Sequence, residues 1–277
     1  MPSLSDAADA NFLVHAAWAQ RRLAGMRVIR SGVTLVDSGL PCDTFNCILA
    51  ARLTVGIADA AIEGALAHFR AAGRPFSWWV GPADRPADLA ARLEAAGLRA
   101  AEAELAMSVR LEAALSTASP PPSELSIERV ATRSQLADFG AVNAANWSPP
   151  DSNVVRFYAL AAASLLSAAS PLRYFVGRIG REPVATVELA VGGGVGGIYN
   201  VATLEAFRRR GYASAMMAHA MEDARAAGLR TAVLQAAPDG VGVYRRLGFT
   251  EFGTIREYKP PPGVSPELLN SRDRGQS

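Results

Sequence analysis

The sequence predicts an α+β protein of two tandem domains, each a mixed, mostly antiparallel sheet flanked by helices. Three observations carry this expectation: a strand meander followed by helix, strand and helix in the second half, a gapless repeat of that helix in the first half, and a proline-rich break between them. At 277 residues the chain has room for two cores of ordinary size. The boundaries read as 1–115 for the first domain, 116–124 for a Pro/Ser linker, 125–262 for the second domain and 263–277 for a flexible tail.

The break is "STASPPPSELS", where three prolines among small polar residues interrupt patterned sequence on both sides. After it, "LSIERV" is strand-like, and apolar residues at helical spacing mark Gln135 to Asn143 and Val154 to Ser167. Then come "RYFVGRI", a turn at Gly180-Arg181-Glu182-Pro183, "VATVELAV", a glycine-rich turn and "IYNVAT". Tyr212 to Ala227 is helical and Gly228 is placed to end it. "TAVLQAA" is a buried strand, Asp239 can cap a short helix through Leu247, and "TEFGTIREY" closes the domain with a strand or strand pair. The glycine-rich turn contains Gly192-x-Gly194-x-x-Gly197, the letters of a dinucleotide-binding loop. A β-branched and aromatic run follows it in place of a helix, so it reads as a hairpin turn.

The repeat sets Arg208 to Gly228 over Leu53 to Gly73 without a gap, with Gly56 on Gly211, Ala58 on Ala213 and "RAAG" on "RAAG". Downstream, "ARLEAAGL" from Ala91 lies over "VYRRLGF" from Val243. The copies differ where chemistry would sit. Leu53, Thr54 and Val55 stand where the second copy has three arginines, and Leu93 stands where it has Tyr244.

Composition narrows the classes. Basic and acidic residues number 28 and 26 and are scattered, which argues against a broad nucleic-acid footprint. "MPSLSDAADA" has neither a signal nor a transit pattern, and the longest apolar-looking run, Tyr158 to Leu172, is too short to span a bilayer, so a cytoplasmic protein without a membrane partner is expected. Cys42 and Cys47 are the only cysteines and have no histidine at zinc-ligand spacing, so no metal is expected.

The strand "IYNVAT" runs through "LEAFRRRG" into a helix opening Tyr212-Ala213-Ser214. The first amides of a helix lack internal partners and its dipole favours an anion there. Gly211 and Ala213 permit close approach of a phosphate to the backbone, and arginines add charge at the rim. An exposed helix entrance with solvated arginines is the competing reading of the same residues.

In context, Arg208, Gly211 and Ala213 fit [Q/R]-x-x-G-x-[G/A], and "VYRRLGF" follows about thirty residues on. From roughly Leu125 to Lys259 the chain resembles the GNAT superfamily of acetyltransferases, in a tandem-domain arrangement. The resemblance implies an enzyme that uses acetyl-CoA as cosubstrate, its pyrophosphate on the amides of Arg209, Arg210, Gly211, Tyr212, Ala213 and Ser214. It implies a pantetheine arm beside Val201, Ala202 and Thr203, in the splay between "IYNVAT" and "TAVLQAA". The Val201 amide becomes the donor to the thioester oxygen, and Tyr244 the acid for the departing thiolate, since a phenol of pKa about 10 and a thiol of pKa about 8.5 exchange a proton readily.

An alkylamine acceptor must shed a proton before it attacks. Some relatives carry a glutamate for this on the strand before the cofactor loop, but here that position falls near Gly197 and Ile198. Glu188 on the neighbouring strand is the candidate base, with Tyr199 or a water chain as substitutes and a solvent-facing role as the plain alternative. Trp147 and Asp151 in "NWSPPDSN" are the candidate acceptor residues, against a loop-packing role. The acceptor is expected to be a small-molecule or peptide amine, and the protein a monomer or weak dimer. The first copy, lacking the arginines and the tyrosine, reads as degenerate. Transfer of another acyl or aminoacyl group, a non-catalytic CoA-binding sensor and a nucleic-acid binder remain the alternatives.

Overall fold

Strands and the crossover helices follow the apolar periods in the computed structural model, which describes residues 2–116 and 120–261. The first stretch contains α1 (Leu4–Ala17), β1 (Arg27–Arg30), β2 (Thr34–Asp37), β3 (Cys47–Leu49), α2 (Val55–Ala72), β4 (Ser77–Val80), α3 (Leu89–Ala95), β5 (Arg99–Arg110) and α4 (Leu111–Ser116). The second contains β6 (Leu125–Arg129), α5 (Arg133–Ala144), α6 (Ser152–Leu165), β7 (Leu172–Ile179), β8 (Glu182–Gly192) and β9 (Val195–Thr203). It ends with α7 (Tyr212–Ala226), β10 (Thr231–Ala236), α8 (Val241–Arg246) and β11 (Thr250–Lys259). Thr117 to Ser119 of the expected linker and all of the expected tail lie outside the described residues.

These elements form two compact units. Unit 1 joins the residues up to Ala19 to Leu105–Gly253, and unit 2 joins Gln20–Glu104 to the chain from Thr254 on. The units are therefore discontinuous, unlike the contiguous boundaries read from the sequence. The physical reasons are local. In unit 1 the buried Asn11 of α1 bonds three carbonyls of the β8–β9 hairpin, and in unit 2 Arg256, Glu257 and Tyr258 of β11 pair with Val80, Trp79 and Trp78 of β4.

The sheet of unit 1 runs β5-β10-β9-β8-β7-β6, with only the β9–β10 pair parallel. That of unit 2 runs β1-β2-β3-β4-β11, with only β3–β4 parallel. Both are mixed and mostly antiparallel, as the fold class predicts. A parallel pair needs a crossover, and α7 and α2 supply it. α7 buries Ala215, Met216, Ala220, Met221 and Ala224 at helical spacing against Val187, Leu189, Ile198 and Leu234. α2 buries Ala58, Ile62, Ala65, Leu66 and Phe69 in the separate core of unit 2, with Phe76 and Trp78.

Both crossover helices end in the same way. The amides of Gly228 and Leu229 donate to Arg225 and Ala224, and those of Gly73 and Arg74 donate to Arg70 and Phe69, with the glycines at φ 83° and 58°. Their starts differ. Gly211 caps α7 at φ 83°, whereas α2 begins at Val55, so Gly56 is an ordinary helical residue. The glycines aligned by the repeat thus play different parts.

Candidate functional site

The parallel ladder between β9 and β10 ends at Ile198 and Leu234, yet both strands run on, β9 to Thr203 and β10 to Ala236. Past that point β10 is held by β5, through Gln235 and Ala236 opposite Ala106 and Leu105. On its other side β9 bulges. Thr186 and Glu188 of β8 pair with Ala202 and Tyr199, so Asn200 and Val201 together face a single residue of β8. Asn200 takes φ 51°, a left-handed conformation that asparagine tolerates better than most side chains. The two strands thus part at Tyr199 to Thr203, where the backbone of Val201 is out of register with β8.

From the end of β9 the chain turns through Leu204 and a short helical turn, Glu205–Phe207, into Arg208, Arg209 and Arg210. Arg209 sits at φ 62° and Gly211 at φ 83°, and no side chain caps α7. A Cβ on Gly211 would meet only Pro122 Cγ at 3.7 Å, so the requirement here is backbone conformation. The arginine side chains fold over their own loop. Arg208 Nε donates to Thr203 O at 3.0 Å, while Arg210 donates to Ala206 O at 3.1 Å and covers the Phe207 ring at 5.4 Å. Tyr212 is buried and its hydroxyl donates to Glu124 at 2.8 Å, leaving the backbone as its contribution to the loop.

Tyr244 lies on α8, which follows β10 at the same end of the parallel pair. The cap of α8 is Gly240 and not Asp239 as the sequence suggested. A Cβ on Gly240 would stand 2.8 Å from Tyr244 Cε2 and 3.3 Å from its hydroxyl oxygen, so glycine there leaves room for the phenol. Phe249, buried after the turn at Gly248, stacks edge-on to Tyr244 at 6.2 Å.

Beneath the bulge lies a buried polar network that sequence reasoning largely missed. Glu188 is not the solvent-facing residue of the plain alternative. Its side chain is 2% exposed, with Oε1 2.7 Å from His15 Nδ1 of α1 and Oε2 accepting from Asn200 Nδ2 at 2.8 Å. Asn200 Nδ2 also reaches Tyr158 of α6 at 3.2 Å. The backbone oxygen of Asn200 accepts from Thr186 Oγ1, which in turn accepts from Asn143 of α5. Burial, followed by the negative charge of Glu188, pushes Tyr158, Tyr174 and Tyr199 well above the usual phenol range. Tyr199 also donates its proton to Asn11 Oδ1 at 3.0 Å, so it is poorly suited to act as a base.

The glycines of the dinucleotide-like motif have their reason here. Gly193 and Gly194 form the two-residue turn between β8 and β9, at φ 62° and 78°. A Cβ on Gly192 would lie 2.8 Å from Val14, on Gly193 2.4 Å from Ala7 O, and on Gly197 1.8 Å from Asn11 Oδ1. Each of these three permits close packing of α1. A glutamate at position 197 would occupy the place of Asn11, which explains why this chain lacks one there.

Asp151 caps α6, its Oδ1 accepting from the Asn153 backbone at 2.8 Å, and Trp147 in the preceding loop is 45% exposed. In unit 2 the start of α2 carries exposed Val55 and Ile57 in place of a basic loop, and Leu93 is fully buried in the core. Among the described residues no group of three or more His, Cys, Asp and Glu side chains could hold a metal ion.

Residues 139–249 match the family model described as "Acetyltransferase (GNAT) family", which bears out the resemblance carried by Arg208, Gly211 and Ala213. No curated protein matches the chain in sequence. Solved structures share its fold. A GCN5-related N-acetyltransferase from Kribbella flavida is 21% identical, with 92% of this chain and 96% of that one covered at a TM-score of 0.70. A tandem GNAT protein from the clavulanic acid biosynthesis pathway is 14% identical, with 89% and 87% covered at 0.61. A GCN5-related N-acetyltransferase from Sphaerobacter thermophilus is 17% identical, with 95% and 96% covered at 0.57.

Proposed function

From the GNAT domain that residues 139–249 carry, we propose that unit 1 transfers an acetyl group from acetyl-CoA to an amine of a small molecule or peptide, by direct attack. The observation that carries this reading is the parting of β9 and β10 after Ile198 and Leu234, directly before an uncapped helix N-terminus. The residues present suit acetyl-CoA. The left-handed backbone at Arg209 and Gly211 and the open space at Gly211 suit a pyrophosphate on the amides of Arg209 to Ser214, with Arg208 at the rim. Thr203 Oγ1, buried and without a hydrogen-bond partner, suits a polar arm laid along Val201, Ala202 and Thr203.

Acetyl-CoA, when bound, supplies an acetyl group activated as a thioester. The Val201 amide donates to the carbonyl oxygen where negative charge develops, a contribution of about 3 kcal/mol for one well-placed donor. Tyr244 delivers its hydroxyl proton to the departing sulfur. Trp147 and Asp151 take the acceptor, Asp151 with the carboxylate oxygen not used to cap α6. We read unit 2 as a second, degenerate GNAT-like copy, supported by its single parallel pair and the shared closure of α2 and α7. No helix among the described residues is long and apolar enough to cross a membrane, and the reading puts the enzyme in the cytoplasm as a monomer or weak dimer.

The test is thiol release from acetyl-CoA across a panel of amines. Tyr244→Phe is expected to lower kcat roughly 10²-fold or more while leaving CoA affinity unchanged. Full activity in that variant removes Tyr244 as the acid. Absence of thiol release by the unaltered protein with every amine and acyl donor overturns the transfer reading, and thermal stabilisation by CoA in that case points to a sensor.

A further inference from the structure

α1 lies outside the residues that match the family, yet it brings a close histidine–carboxylate pair to the parted strands. His15 Nδ1 is 2.7 Å from Glu188 Oε1, and the other oxygen of Glu188 is bound to Asn200 beside Val201. The imidazole stacks on Tyr199 at 4.0 Å and 10°, with Phe12 parallel at 6.1 Å. The pair is graded in exposure, 24% for the His15 side chain against 2% for Glu188. Glu188 is thus too deep to meet an acceptor itself, and His15 is the member of the pair that solvent reaches.

We propose that His15 is the base that takes a proton from the acceptor amine, and that Glu188 is its positioning residue; this rests on the acetyl-transfer reading above. The Glu188 carboxylate accepts a hydrogen bond from Nδ1–H, which fixes the tautomer and leaves the Nε2 lone pair, on the far side of the ring, to accept a proton. The stack on Tyr199 fixes the ring plane. The ammonium gives one proton to Nε2, and the C–N bond then forms as the C–S bond breaks. The second proton lost by nitrogen replaces the one that Tyr244 delivers to sulfur, and the proton on His15 leaves to solvent by its exposed edge. The charged and titratable groups around this ring are Glu188 from β8 and Tyr199 from β9, with Tyr158 of α6 and Tyr174 of β7 behind Glu188 and Asp9 of α1 beside Tyr199. The three phenols are held protonated, so none of them supplies a second base.

The experiment compares an alkylamine with hydroxylamine, which is already neutral at pH 7, as acceptors in the thiol-release assay. The variants are His15→Ala and His15→Phe, the second of which keeps a flat ring against Tyr199 but carries no proton. Both are expected to lose roughly 10²- to 10³-fold in kcat/KM for the alkylamine and less than about tenfold for hydroxylamine. In both variants the alkylamine rate should lose the limb set by the protein base and rise instead with the neutral fraction of the amine, towards the amine's own pKa of about 10.4, and CoA affinity by calorimetry should stay unchanged. Glu188→Gln should move that limb without abolishing it. An equal loss with both nucleophiles, or an acidic limb whose midpoint is unchanged in His15→Phe, overturns the role of His15 while leaving acetyl transfer standing. An unaltered protein that releases no thiol with either nucleophile removes the transfer reading, and this inference with it.

Discussion

Replacing Asn11 with alanine should cost unit 1 a large share of its stability, because one side chain ties α1 to the hairpin from both of its ends. Its Nδ2 lies 2.8, 3.0 and 3.0 Å from the carbonyls of Ala190, Gly192 and Val195, and its Oδ1 accepts from Tyr199 at 3.0 Å. Asn11 is fully buried, so water cannot replace the lost partners in place. Each net hydrogen bond is worth about 1 kcal/mol and each buried group left unsatisfied costs about 1–3 kcal/mol, which together give roughly 3–5 kcal/mol. For a unit of this size each kcal/mol moves the midpoint by about 2–4 °C, so Tm should fall by roughly 6–20 °C. Differential scanning calorimetry at pH 7 reads it. Asn11→Asp serves as the companion variant: it keeps the acceptor for Tyr199 but turns a carboxylate toward three carbonyls, and should be destabilised by a similar amount. A midpoint within about 2 °C of the unaltered protein for both variants refutes the claim that α1 is anchored this way.

Other outcomes follow from the same geometry. Gly240→Ala puts a methyl 2.8 Å from the Tyr244 ring; thiol release should fall roughly tenfold or more, since small misplacements of catalytic groups are costly, with Tm little changed, and undiminished activity would show that the phenol's position is immaterial. In unit 2, burial first, then Glu102 and Glu257, raise Glu104 to about 7. The fold favours its protonated form, so this stability is complete below the ordinary carboxylate range and is lost as pH rises through about 7. Glu104→Gln should therefore raise stability by up to about 3 kcal/mol at pH 8 and leave it unchanged at pH 4, and an equal gain in denaturant melts at both pH values would contradict the assignment.

Local pattern carried much of the fold. The β7–β8–β9 meander, α7 and its ending at Gly228 were legible because alternation, helical spacing and a glycine stop all act over a few residues. Gly192-x-Gly194-x-x-Gly197 could be recognised as a hairpin, but the crowding behind Gly192, Gly193 and Gly197 could not, because Val14, Ala7 and Asn11 lie far away in sequence. α1 hid its allegiance because the side it buries is made of alanine and asparagine, which does not read as a core stripe. Glu188 could be named as a candidate base but its burial and partner could not, for the same reason: His15 stands 173 positions earlier. With only three histidines in the chain, pairing each with a strand carboxylate was the one sequence signal that could have found His15. The aligned Gly56 and Gly211 misled in the other direction, since identity of residue concealed a helical backbone in one copy and a left-handed cap in the other.

Because unit 1 takes in α1 and then nothing more until Leu105, and unit 2 takes in strand residues beyond Thr254, the order of synthesis and the order of folding cannot coincide. On a ribosome, α1 emerges long before the Gly192–Gly197 hairpin on which it packs, and β4 emerges long before the Arg256–Tyr258 segment that pairs with it. Neither unit can be completed until nearly the whole chain has been made. A fragment cut at the proline-rich break would keep the arginine loop and Tyr244 but lose β5, Asn11 and His15, so dissecting this protein at its most obvious seam divides each unit instead of separating the two.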